Sequence, residues 1–178
     1  MTKTTDENDV FSDFLETIAI RIDANTENAN FYILCVNNGK AYSRPITDDR
    51  EQLVLFTHVE QAEAVLQQAD AALHTLGPAP QTILDLVDVA QVIYLLDSGD
   101  IDQSGDILLF INTFNDFLKT INYQMPVMYD KDLKALGHHL FLNRQFSGFL
   151  HEHNIERKHI IDSIYLMVGA VFSNATFL

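Results

Sequence analysis

The residues with the clearest chemical potential form a run of oxygen-bearing side chains near the middle of the chain. In "GDIDQSGDILLFI", Asp100, Asp102, Ser104 and Asp106 fall at alternate positions, and Gly105 stands between the last two. Calcium loops of about twelve residues use this alternate spacing to surround the ion with oxygens, with a glycine at the sharp turn. Ca²⁺ is therefore the cofactor that these four oxygen-bearing residues suggest.

Over residues 100–111 the segment resembles an EF-hand or dockerin-type loop, and the resemblance implies a calcium-responsive protein. The pattern departs from the motif at its last positions. Leu108 has no side-chain oxygen, and Ile111 stands where the motif needs a bidentate acid. The same residues also fit an acidic turn between two helices, in which Ser104 caps the second helix and Asp106 lies at its positive end. The sequence favours the acidic turn and leaves calcium binding as the alternative.

Charge is distributed unevenly along the chain. The 178 residues carry a net charge of −14, and residues 51–118 contain eleven acids and no Lys or Arg. Such a segment repels phosphate backbones, which predicts no direct nucleic-acid binding, and it attracts cationic surfaces. The plainer interpretation is that these acids only solvate exposed helix faces. The candidate residues for binding a partner are Asp85, Asp88, Asp97, Asp100, Asp102 and Asp106.

These charges predict a non-enzymatic interaction, regulatory or accessory protein that docks on a basic protein surface. An enzyme without recognisable local motifs is a further alternative. The chain has no G-x-S-x-G elbow and no Walker or dinucleotide glycine pattern. Its single cysteine, Cys35, stands in an apolar run, which is typical of a core residue rather than of a reactive thiol.

Histidines form a second cluster, since five of the seven lie in residues 138–178. Glu156 and His159 have the spacing of a di-iron ligand pair. Such a site needs a second copy of that pair and further glutamates on facing helices, which the sequence does not supply. The pattern therefore favours surface histidines over a metal site.

The helices and strands that the sequence pattern predicts make up an α+β fold. Apolar spacing of three and four predicts an N-terminal helix over Asp9–Ile22. A small antiparallel sheet of three strands is expected next, over Phe31–Val36, Lys40–Ile46 and Gln52–Phe56. Asn38-Gly39 supplies the tight turn between the first two strands. One helix beginning near Thr57 completes this first portion, residues 1–76.

The second portion, residues 81–178, reads as helical throughout. Short links between helices favour antiparallel neighbours, so we expect a four-helix bundle that shares one core with the first portion. The length suits a single domain over 1–178. The predicted helices are Thr82–Leu96, Ile107–Ile121, Asp130–His151 and Glu156–Ala175.

The sequence also predicts a cytoplasmic protein without a membrane segment. The acidic start "MTKTTDENDVFSDF" lacks the apolar stretch of a signal peptide, and the longest apolar run, Ile164–Phe172, is too short to span a bilayer. A single cysteine also rules out a disulfide within the chain, which fits a reducing compartment.

Overall fold

The structure is a computed structural model that describes residues 14–37, 44–73, 84–98, 104–143, 146 and 148–178. The described residues contain both strands, mostly in the first half, and helices, mostly in the second half, so the predicted α+β class is confirmed. The elements, in chain order, are β1 (Phe14–Arg21), β2 (Phe31–Asn37), β3 (Arg44–Pro45), β4 (Leu53–Leu55), α1 (Val59–Leu73), β5 (Leu84–Asp88), α2 (Val89–Ser98), α3 (Ser104–Thr120), α4 (Val127–Asn143), α5 (Phe149–His153), α6 (Arg157–Ser173) and β6 (Ala175–Phe177).

The main sheet has four strands in the order β3-β2-β1-β5. Strand β1 lies between an antiparallel neighbour, β2, and a parallel neighbour, β5. The register places Ile18 opposite Ile33 on one side and opposite Asp85 on the other. A parallel neighbour requires a crossover, and α1 is the helix between β4 and β5.

The prediction of an N-terminal helix is wrong over the described residues, because Phe14–Arg21 is strand β1. The strand is buried on both faces. Ile18 and Ile20 enter the core beneath the helices, whereas Leu15 packs in the cluster beneath α1. A strand covered on both faces shows no clean alternation of polar and apolar residues, so its pattern also fitted a helix. Residues 9–13 of that prediction lie outside the described residues.

The predicted helix Thr82–Leu96 is also corrected, because Leu84–Asp88 is strand β5 and α2 begins only at Val89. Asp85, Asp88 and Gln91 stand three residues apart among apolar residues, which is also the pattern of a polar stripe along one buried helix. In the structure, Asp85 is exposed on the edge strand, and Asp88 caps the helix that follows.

The predicted third strand exists as β4, but its main partner is different. β4 pairs in parallel with the C-terminal strand β6. Isolated bridges, Thr47 to Leu53 and Tyr32 to Phe56, connect β4 and the residue after it with β2 and the segment after β3. The antiparallel pairing of β2 with β3 follows the prediction, and the Asn38-Gly39 turn between them lies outside the described residues.

The helices α2, α3, α4 and α6 pack together on one face of the main sheet. Their core is continuous with the sheet, since Ile20 and Ile33 join Phe110, Phe114 and Ile164 in one buried cluster. The predicted helix Asp130–His151 is divided into α4 and α5. None of the helices in the described residues has both the length and the hydropathy needed to cross a membrane.

The C-terminal strand is held by a turn that Asp48 organises. Arg50 and Gln52 donate their main-chain N–H groups to Asp48 Oδ1 at 2.8 and 3.0 Å. Thr176 on β6 donates its hydroxyl to Asp48 Oδ2 at 2.6 Å. The hydrogen bond from Thr176 is the main reason that the pKa of Asp48 is lowered, and the bond from Gln52 adds to it. The charged form of this carboxylate therefore stabilises the folded state.

We expect Asp48→Asn to destabilise the protein at neutral pH. A carboxylate whose pKa is lowered by folding contributes stability above its unfolded pKa, about 3.9, and loses it as the pH falls through the folded value. The difference in unfolding free energy between the parent and the variant should therefore be largest near pH 7 and shrink below about pH 4. Urea denaturation followed by circular dichroism measures it. Asp49→Asn, at an exposed neighbour, is the control, and an Asp48→Asn effect that is constant with pH would contradict the assignment.

Candidate functional site

Three of the predicted partner-binding acids lie exposed on neighbouring elements. Asp85 is on the edge strand β5, Asp97 is in the last turn of α2, and Asp106 is in the first turn of α3. Helix α3 contacts both β5 and α2, which brings the three elements together. Among the described residues, no ion pair engages these three carboxylates. We call Asp85, Asp97 and Asp106 the acidic surface.

Asp88 has a structural role that the sequence did not indicate. Its Oδ1 accepts the main-chain N–H of Gln91 at 3.0 Å, which is the N-cap bond of α2. Its Oδ2 forms a salt bridge with Arg21 at the end of β1. The hydrogen bond that Arg21 donates to Asp88 is the main reason that the pKa of Arg21 is raised. Because its side chain is only 12% exposed, Asp88 contributes little to a docking surface.

The calcium-like loop is only partly described. Asp100 and Asp102 lie outside the described residues. Ser104 is the first residue of α3, which begins three residues before the predicted helix Ile107–Ile121, and Asp106 is exposed in the first turn. Calcium binding at Asp100, Asp102, Ser104 and Asp106 stays a prediction.

His159 lies against α4 rather than in a di-iron arrangement with Glu156. Its Nε2 is 2.9 Å from Asp132 Oδ2, and its ring stacks on Tyr129 with centroids 4.9 Å apart. Glu156 is exposed at the N-cap position of α6. His159 therefore joins α6 to α4.

The described residues bring together three metal-ligating side chains that sequence analysis did not connect. His139 on α4 and the adjacent Glu152 and His153 on α5 each place one ligand atom within 4.8 Å of the other two. His139 Nδ1 lies 4.0 Å from Glu152 Oε2. In a continuous helix over Asp130–His151, His139 would lie several turns away from Glu152 and His153 at its end. Gly148, just before α5, was the sequence signal for the break.

An apolar groove lies between α2, α6 and the segment after β1, with a volume of about 430 Å³. The only polar group that its side chains contribute is the hydroxyl of Tyr165. A catalytic site needs several convergent polar groups, so this groove does not support the enzyme alternative. The lining residues are Ile22, Ala24, Val89, Ala90, Ile93, Tyr165 and Val168.

Cys35 lies in the core, as its apolar surroundings in the sequence predicted. It is fully buried on β2, opposite Glu16. Burial is the main cause that raises the pKa of the thiol, and the negative charges of Glu16 and Asp116 add to it. A thiol held in the protonated form is a poor nucleophile, which argues against cysteine catalysis here.

Comparisons with known proteins give little further information. No family model and no curated protein matches the chain. Among solved structures, the chain is similar to the C-terminal domain of SatS, crystallised in complex with bromine. The two share 15% sequence identity with a TM-score of 0.46, over 92% of this chain and 94% of the other.

The role of Asp88 is tested by comparing Asp88→Ala with Asp88→Asn. Asparagine keeps an oxygen that can cap α2 but loses the charge that pairs with Arg21, whereas alanine loses both. We expect Asp88→Ala to be less stable than Asp88→Asn by about 1 kcal/mol, the usual contribution of an N-cap. Urea denaturation measures the difference. Equal stability of the two variants would show that the cap contributes nothing.

Proposed function

We propose that this protein is a non-enzymatic interaction or regulatory protein whose acidic surface docks on a basic region of a partner protein. The observation that carries the proposal is that Asp85, Asp97 and Asp106 are exposed in a part of the chain that has no Lys or Arg of its own. Cations from outside this part reach it within the described residues, but they form no ion pair with these three carboxylates. Arg21 pairs with Asp88, Lys119 pairs with Asp116, and Arg157 donates to the main-chain carbonyl of Asp97.

An apolar side chain next to the acids supplies part of such a contact. Leu109, one turn after Asp106 on α3, is 36% exposed. Docking surfaces combine apolar contact area with charge that steers the partner and fixes its orientation. A partner that presents Lys or Arg beside a small apolar patch would fit this arrangement.

The chemistry of the acidic surface selects among classes of partner. Exposed carboxylates that form no ion pair repel phosphate groups, so a protein partner is favoured over a nucleic acid. Uncompensated surface charge also accelerates the association of a cationic partner, and salt weakens this effect. A cytoplasmic location, expected from the sequence, is part of this proposal.

The proposal is tested with two triple variants that remove the same amount of charge. Asp85→Asn/Asp97→Asn/Asp106→Asn neutralises the acidic surface. Glu51→Gln/Glu60→Gln/Glu63→Gln neutralises three exposed acids of the turn before β4 and of α1, which covers the opposite face of the sheet. A fluorescent octalysine peptide is the probe, and fluorescence anisotropy measures its affinity at about 50 mM and about 300 mM NaCl.

We expect the Asp triple to weaken peptide binding by about tenfold at the lower salt, because three exposed charge contacts each contribute a few tenths of a kcal/mol or more. The Glu triple should change binding by about twofold or less. Equal losses in the two triples would reject a local docking surface. Binding that does not weaken with salt would reject the electrostatic mechanism.

A further inference from the structure

We propose that His139, Glu152 and His153 form a binding site for Zn²⁺ at the corner between α4 and α5. Two imidazole nitrogens and one carboxylate oxygen are the donor set that three-ligand zinc sites use, with a fourth position left for water or another group. This inference goes beyond the proposed docking function and does not depend on it, because the ligands lie on other elements than the acidic surface.

The distances are close to those that a bound ion requires. The three ligand atoms lie within 4.8 Å of one another, and His139 Nδ1 lies 4.0 Å from Glu152 Oε2. Zinc bonds of about 2.0–2.1 Å in a tetrahedral site place ligand atoms about 3.4 Å apart. A contraction of about 1 Å therefore closes the site. Glu152 and His153 can supply it by rotating their side chains, because both are exposed.

A buried phenylalanine packs against both imidazoles and fixes that of His139. Phe149, the first residue of α5, is fully buried. Its ring centroid lies 5.3 Å from that of His139 and 4.6 Å from that of His153. The side chain of His139 is only 10% exposed, so its position is set by packing. Preorganised ligands of this kind lower the entropy lost when the ion binds.

The backbone around α5 places Glu152 beside the histidines. The N–H of Glu152 donates to the carbonyl of Gly148 at 2.9 Å. A Cβ at Gly148 would meet Glu152 Oε1 at 3.2 Å, so a larger residue there would push the carboxylate away. At the other end of the helix, Asn154 adopts a left-handed conformation and its N–H donates to the carbonyls of Leu150 and His151. The helix that carries two of the ligands is therefore defined at both ends.

The donor set also selects the metal. Nitrogen donors suit Zn²⁺ and its neighbours in the transition series, whereas Ca²⁺ and Mg²⁺ prefer all-oxygen sites. A bound ion would fasten α5 to α4 and stabilise the fold in proportion to its occupancy. With free Zn²⁺ at about 100 times the dissociation constant, the melting temperature should rise by about 5–10 °C.

The test titrates the chelator-treated protein with ZnSO₄ in an isothermal calorimeter and records melting temperature in parallel. The parent should bind one Zn²⁺ per chain, and CaCl₂ should not displace it. His153→Ala and Glu152→Gln should each weaken binding by about tenfold or more and remove the melting-temperature rise. His138→Ala and His151→Ala are the controls, since both histidines are exposed neighbours on the same two helices and should leave the affinity unchanged.

His139→Ala should also abolish binding, and its circular dichroism spectrum shows whether the loss of a buried ring has disturbed the fold. The two variants at exposed positions test the site without that complication. Absence of stoichiometric binding by the parent would overturn the proposal. Equal weakening in His151→Ala and His153→Ala would do the same, because it would mean that zinc is held by surface histidines in general.

Discussion

The arrangement of the whole molecule depends on the burial of strand β1 on both of its faces. Ile18 and Ile20 are covered by the helical layer, and Leu15 is covered on the side of α1. Each such side chain contributes about 1.5–3 kcal/mol when it is removed from water. A strand with two apolar faces is stable only at the centre of a sheet with a layer on each side, so β2, β5, α1 and the remaining helices must surround it. The pairing with β5 then brings Arg21 to Asp88, and through this cap it fixes where α2 begins.

The amphipathic helices and strand β2 could be predicted from the sequence, whereas β1 and β5 were predicted as helix. Helix α3 shows its buried residues at three- and four-residue spacing, from Ile107 through Phe110 to Phe114, and its predicted position is close to the observed one. In β5, Asp85 is polar because it lies at an edge, and Asp88 is polar because it caps a helix. Two unrelated causes thus produced a spacing that one helix would also produce. The C-terminal strand β6 is only three residues long and depends on pairing with β4, about 120 residues earlier, which no local pattern reports.

For the candidate sites too, features along the chain could be predicted, and contacts between residues far apart in the chain could not. The sequence shows directly that residues 51–118, which include Asp85, Asp97 and Asp106, contain no Lys or Arg. Which acid is paired across the fold was not visible, because Arg21 reaches Asp88 from 67 positions away. The concentration of histidines in residues 138–178 was likewise visible in the sequence. The meeting of His139 with His153 required the break between α4 and α5, since one continuous helix would have separated them by about 20 Å.

Local pairing explains why Lys134 and Lys158 form no ion pair with Asp85, Asp97 or Asp106. Residues 119–178 carry a net charge of +1, enough to offset part of the central charge if their cations reached it. Instead, Lys134 pairs with Asp130 and Lys158 with Asp162, each one helical turn away. The bond to Asp162 is the main reason that the pKa of Lys158 is raised. Lys119, at the boundary of the central segment, likewise pairs with Asp116. Each pair is weak, but it forms within one helix and orders no distant chain, so it prevails over a longer contact across the fold. Among the described residues, the three carboxylates of the acidic surface are therefore left without an ion pair.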